Sequence, residues 1–226
     1  MMDLRFFEIY RNPDYLWRLA EGIWFSMSLT VLAATIGFIF ATGLAVARLT
    51  KTPVVSQFAV GFVEFTRNTP LIVQLFFVAF GLPLLLGYQW PFWAHALLAL
   101  TLNFSAYFAE ILRAGFKSIP EGQLEAATAL GLPRHIRFIK IVFPQAVAGM
   151  YPSLVSQFVF LFLTTGVISE IGVEDLTQAG VFIDSRTFRS FEVFMTLTVL
   201  YVAMAMTFKA VLRLIEAHLF RWKDAR

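Results

Sequence analysis

The stretch GIWFSMSLTVLAATIGFIFATGLAVA, Gly22 to Ala47, carries no charged side chain. Roughly twenty apolar residues rising about 1.5 Å each are enough to cross the hydrocarbon of a bilayer, so this run predicts a membrane-spanning helix. Working outward, four more candidate spans follow at 70–86, 92–112, 147–169 and 191–215. Apolar residues of 54–65 offer a backward extension of the second. Hydrophobic residues make up 58% of the 226 and charged residues 15%, more apolar surface than a soluble domain would carry. The expected fold is an all-α membrane protein with five transmembrane helices in one domain over residues 1–226, with the lipid bilayer as its solvent. No cysteine is present, which excludes a disulfide framework, a thiol nucleophile and a Cys metal site. His95, His135 and His218 are scattered and form no metal pattern. The net charge of +3 is mild, and nothing in it calls for a nucleic-acid partner. Residues 1–21 mix charges with aromatics and lack the apolar core of a cleaved signal. Phe6, Phe7, Tyr10, Tyr15 and Trp17 suggest a segment lying at the membrane surface, and an ordinary polar tail is the alternative.

Lys and Arg set the orientation, because basic residues collect in cytoplasmic loops. With the N-terminus outside, the inner loops and tail hold Arg48, Lys51, Arg67, Arg113, Lys117, Arg134, Arg137, Lys140, Lys209, Arg213, Arg221, Lys223 and Arg226. Only Arg5, Arg11, Arg18, Arg186 and Arg189 then lie outside. The reading is N-terminus out and C-terminus in, which places the loop at about 117–144 in the cytoplasm.

That loop is the most patterned part of the chain. Ser118-Ile119-Pro120-Glu121 has the form of a capping box with an early proline. Gly131 and Pro133 supply a stop, giving a short helix over about 119–130. Ala126, Ala127 and Ala129 leave that helix thin enough to enter a groove on another protein. Pro133 is expected to open a second helix bearing Arg134, Arg137 and Lys140, and Pro144 to break it before the fourth span. A solvated, well-capped loop is the plain alternative.

The spacing from Glu125-Ala126-Ala127 through Gly131 and Ile141 to Phe143-Pro144 resembles the EAA loop of ATP-binding-cassette (ABC) importer permeases, with Phe143 where the family has Leu. Glu64-Phe65-Thr66-Arg67-Asn68-Thr69-Pro70, Asn103-Phe104-Ser105-Ala106-Tyr107, and Ile171-Gly172-Val173-Glu174-Asp175 are similar to runs in the permeases for polar amino acids. The resemblance implies a type I ABC importer permease fold and uptake of a polar amino acid. It also implies partner ATPase subunits, an extracytoplasmic amino-acid-binding protein and a second permease subunit. By that resemblance Gly122, Glu125, Ala126, Ala127 and Gly131 couple to the ATPase. Since the chain has no Gly-x-x-x-x-Gly-Lys-Ser/Thr run, no cofactor is expected on it; ATP and Mg belong to the partner.

Polar side chains are expensive in hydrocarbon and face a cavity or another helix. Gln74, Asn103, Gln157, Thr164 and Thr165 are therefore candidates for the substrate pathway, with interhelical hydrogen bonding an equal account of Asn103 and Gln157. Glu110 and Arg113, three apart, are placed to neutralise each other. Gly166 is a candidate helix break that frees backbone groups in a cavity. Many members of the resembling subfamily have Lys, Asp or Asn, Thr and Ser where this chain has Leu163, Thr164, Thr165 and Gly166. That departure suggests one half of a heterodimer whose partner supplies more of the pocket, a homodimer being the alternative. The outer loop 170–192 holds Glu170, Glu174, Asp175, Asp184 and Glu192 and is read as a solvated loop, or as a contact with the binding protein. An ion-coupled amino-acid carrier and a non-transporting scaffold are the rival readings. The first would need further spans or inverted repeats, and Glu110 is its sole support.

Overall fold

The computed structural model describes residues 4–49 and 52–221. Lys51, Lys223 and Arg226, counted above among the inner basic residues, lie outside the described residues. Among the described residues the chain is helical, with no strand. In order the helices are α1 (Phe7–Tyr10), α2 (Pro13–Leu49), α3 (Pro53–Arg67), α4 (Leu71–Leu86), α5 (Phe92–Lys117), α6 (Glu121–Ala129), α7 (Arg134–Ile171), α8 (Leu176–Thr187) and α9 (Ser190–Leu219). Four of these (α2, α5, α7 and α9) are long and apolar enough to cross a membrane, and α3 with α4 makes a fifth crossing only as a bent pair.

Two elements differ from the expectation at the N-terminus. The helix that carries the first span extends further back than residue 22: α2 starts at Pro13, and Tyr15 and Trp17 ride on it. Pro13 suits the first turn of a helix, and Asn12 Oδ1 accepts from the Asp14 N–H at 3.0 Å. At 37 residues α2 is roughly 55 Å long, well beyond the hydrocarbon thickness, so its charged first turns project past it. The remainder, α1, is strapped to α9. Tyr10 Oη and Thr196 Oγ1 lie 2.9 Å apart, the Arg5 N–H donates to Glu192 Oε1 at 3.0 Å, and Ile9 is buried.

The core forms where α2 lies along α5. Ala33, Ala34, Gly37 and Ala41 line one side of α2, and α5 answers with Ala96, Ala99, Leu100, Phe104 and Phe108. A Cβ on Gly37 would sit 3.4 Å from the Thr101 carbonyl oxygen, so the small residues let the two backbones close up. A second cluster, around Phe162, Leu176, Ile183 and Leu197, joins α7, α8 and α9.

The second span, expected over 70–86 with 54–65 as a backward extension, appears as α4 with α3 bent against it. α3 and α4 meet at an angle of 109°. Pro70 has no N–H to continue the α3 ladder and sits in extended backbone with ψ 137°, which turns the chain. By contrast Pro144 does not separate the helix that follows Pro133 from the fourth span. A π turn at Phe138–Val142 precedes it, Pro144 falls in the first turn of the following α segment, and α7 runs on to a 3-10 end at Thr165–Ile171. The π turn removes the conflict, because a proline early in a fresh α segment loses no ladder bond.

Candidate functional site

Consider first the end of the bundle that carries α6. The expected capping box is absent: the Ser118 hydroxyl donates to the Gly115 carbonyl at 2.8 Å, and Pro120 stands at the N-cap. The helix is therefore Glu121–Ala129, shorter than 119–130, with Glu121 in the favourable first turn. Its C-terminal stop is as expected. The Gly131 N–H donates to Thr128 O at 2.9 Å, the Leu132 N–H to Ala127 O at 3.2 Å, and Gly131 has φ +67°, the left-handed conformation that glycine adopts without penalty. Arg137 donates to Thr128 Oγ1 and ties the start of α7 back to α6.

Every residue of α6 except Ala127 is exposed. Gly122, Glu125, Ala126 and Ala129 recur at helical spacing on one outward side. A Cβ on Gly122 would meet nothing within 4 Å, so nothing within this chain requires a glycine there. Leu124 and Leu130, the latter 75% exposed, add uncovered apolar surface beside Glu125. Motif reading missed both leucines; their signal was a large apolar residue at each edge of a short polar helix. The helix is thus a fixed knob with a thin, glycine- and alanine-bearing outward side.

The polar residues within the membrane region are largely bonded among themselves. Asn103 Nδ2 donates to Gln74 Oε1 at 2.8 Å, and Gln74 Nε2 donates to the Thr66 carbonyl at 2.7 Å and the Thr69 carbonyl at 3.2 Å. The Gln74 amide thereby satisfies carbonyls that the turn at Pro70 releases, and Asn103 fixes its rotamer. This geometry matches the interhelical account of Asn103. Thr164 donates to Phe160 O at 3.0 Å and Leu161 O at 2.8 Å, and the buried Thr165 to Phe162 O at 2.7 Å. Gln157 differs: its Nε2 is buried and bonded to nothing among the described residues. Gln74 and Asn103 are brought together, whereas no hydrogen bond joins either to Gln157, Thr164 or Thr165. Glu110 accepts from Arg113 as expected and also from Arg48 Nη1 at 2.9 Å, a second cation that sequence spacing did not reveal. Gly166 opens no cavity. A Cβ there would lie 2.8 Å from Thr177 Oγ1 and 3.2 Å from Tyr201 Oη, so it is a close-packing position.

The opposite end is more ordered than a solvated loop. Asp175 caps α8, accepting from the Gln178 N–H at 2.8 Å, and the Leu176 N–H donates to Ser26 Oγ at 3.2 Å. Asp175 is wholly buried, and burial pushes its carboxyl up to about 6. Beside it a cleft of about 530 Å³ is lined by Asp14, Trp17, Arg18, Glu21, Glu174 and Arg186. The Arg18 guanidinium lies 4.0 Å from the Phe182 ring centroid and that of Arg186 5.4 Å from it.

With this geometry in place, residues 33–223 match the family described as binding-protein-dependent transport system inner membrane component. The chain belongs to that family. It is a multi-pass inner-membrane permease subunit, and in this family ATP hydrolysis resides on a separate chain. The octopine transport system permease protein OccM of Rhizobium meliloti is 33% identical over 95% of the chain and 92% of that protein. The L-cystine transport system permease protein TcyL of Bacillus subtilis is 32% identical over 93% of the chain and 90% of that protein. A crystal structure of an amino acid ABC transporter with histidines superposes with a TM-score of 0.88 and 32% identity, covering 96% of this permease and all of that chain. The inward-facing MetNI methionine transporter shares the fold at a TM-score of 0.75 and 19% identity.

Proposed function

We propose that this permease carries a polar amino acid inward, and that ATPase subunits in the cytoplasm grip it at Glu121–Leu130. The observation that carries the reading is the α6 knob: capped at Gly131, exposed at every residue but Ala127, and bearing Gly122, Glu125, Ala126 and Ala129 on one outward side. Relatives named for octopine and L-cystine, both amino-acid derivatives, support the substrate class. In this reading the N-terminus is outside and the C-terminus inside. ATP and Mg sit on the partner ATPases, an amino-acid-binding protein delivers substrate at the Asp175 end, and a second permease subunit completes the pathway as a heterodimer. ATP-driven closure of the ATPases moves the knob and opens the paired bundles outward, and hydrolysis favours the inward-facing state. Gln157, whose buried amide nitrogen lacks a partner, is the pathway residue with a donor to offer a carboxylate. Glu110 is already neutralised by Arg48 and Arg113, which leaves the ion-coupled reading without its carboxylate.

The test is reconstitution with the cognate ATPase and binding protein. Glu125→Lys and Gly131→Pro are expected to leave membrane insertion intact while uptake of amino acid is lost. Normal uptake by both variants would overturn the docking assignment.

A further inference from the structure

The α6 knob scarcely touches the bundle, since Ala127 alone among its residues is buried. A displacement of the knob must therefore leave through its two ends. One end passes Pro120 and Ser118 into the last turn of α5, which carries Phe116. The other passes the Gly131 turn into Arg134–Arg137, a four-residue segment with no buried side chain, and then into the π turn Phe138–Val142. A short, at most half-buried segment followed by a π turn is a weak lever, because the looser register of a π turn is where a helix gives.

Three aromatic rings bridge that weak point. Phe116 stacks on Phe138 with centroids 5.9 Å apart and planes 24° from parallel. Phe143 closes the triangle, 6.5 Å from Phe116 and 6.1 Å from Phe138. Phe138 is the first residue of the π turn and Phe143 the residue just past it, so the two rings straddle the turn while Phe116 holds both from α5. Phe116 also packs against the main core cluster. Next to it a Cβ on Gly115 would come within 2.6 Å of Met150 Cε, so α5 and α7 are already in close contact one residue away. Phe138 and Phe143 are each 48% exposed, too open to serve as core filler. Position 143 is also where this chain has a ring in place of the expected Leu.

We propose that Phe116, Phe138 and Phe143 form a bracket across the π turn, which makes α5 and α7 follow the knob as one body. They are positioning residues for the transport step, and the proposal rests on reading α6 as the ATPase contact.

The experiment uses the complete complex with ATPase and binding protein in lipid vesicles, reading ATPase capture and amino acid moved per ATP hydrolysed. Phe138→Ala and Phe143→Ala are expected to keep the ATPase bound while transport per ATP falls about tenfold, the scale of two lost ring contacts. A Phe116→Ala/Phe138→Ala double variant should be no worse than its weaker parent, because both act through one bracket. Phe138→Tyr, which keeps the ring, should retain the wild-type ratio, as should Ile139→Ala on the same turn. If the alanine variants fail to insert, Phe138→Leu keeps the volume and loses the ring, and the same fall is expected. A wild-type ratio in the ring-less variants, an equal loss in Ile139→Ala, or release of the ATPase by the ring variants would each overturn the bracket. Failure of the wild-type chain to capture any ATPase would instead remove the docking reading, before any ring variant is made.

Discussion

Asp175 is a buried carboxylate whose hydrogen bonds come from the Gln178 N–H, from the N–H and hydroxyl of Thr177 and, at 3.5 Å, from the Tyr201 hydroxyl, all neutral groups. Burial raises its folded-state value from the ordinary 3.8 to about 6, so the fold favours the protonated form. The stability this contributes is fully present below 3.8 and is lost as pH rises through about 6. Thermal unfolding in detergent should therefore show the wild type losing on the order of 2–3 kcal/mol across that interval. Asp175→Asn, which still caps the helix, should flatten that slope; an unchanged slope would clear Asp175 of the effect. Two glycines make a second comparison. A Cβ on Gly22 would stand 2.8 Å from Leu176 Cα, a backbone atom that cannot swing aside, so Gly22→Ala should cost about 1–3 kcal/mol by prising α2 from α8. Gly122→Ala, with open space around it, should leave the melting curve unmoved or slightly raised and weaken only ATPase capture, measured by co-purification.

Among the elements, the bend between α3 and α4 depends on a few polar atoms. Asn103→Leu leaves Gln74 Oε1 without its donor and should destabilise by about 1–3 kcal/mol. Adding Gln74→Leu should cost less than the sum of the two single changes, since both belong to one network. Equal additivity in denaturation would show that the two amides act separately. The bend also marks where sequence reading reached its limit. Hydropathy located α2, α5, α7 and α9 because each contains a long uncharged run. Pro70 signalled a boundary, but the bend it makes is held by Gln74 and Asn103, which are 29 residues apart and meet only in the folded bundle. Pro144 misled because a π turn has no residue signature that outweighs a proline. The helix α8 was legible in principle, since Asp175 before Leu-Thr-Gln is a good N-cap, but a charged loop between spans invited a simpler reading. At the knob, Gly131 was readable from its type alone. Arg48 beside Glu110 was not, because 62 residues separate them.

For the whole molecule, orientation and assembly are open to direct chemical mapping, because the chain has no cysteine of its own. Leu130→Cys, at a position 75% exposed, should react with an impermeant maleimide only from the cytoplasmic side, and Trp17→Cys, at a position 67% exposed, only from outside. Labelling of both from one side would reverse or abolish the proposed topology. The angled second span also shapes how the protein is made. α3 is 15 residues long, short of the roughly twenty needed to cross, and α4 has a proline and a π turn within it. Neither half is a convincing passenger for the insertion machinery. The bond that Asn103 gives Gln74 can form only after α5 has been synthesised. Maturation is thus ordered in time, with the early hairpin waiting on residues not yet translated, and nascent chains halted before α5 should remain open to protease at Glu64–Pro70.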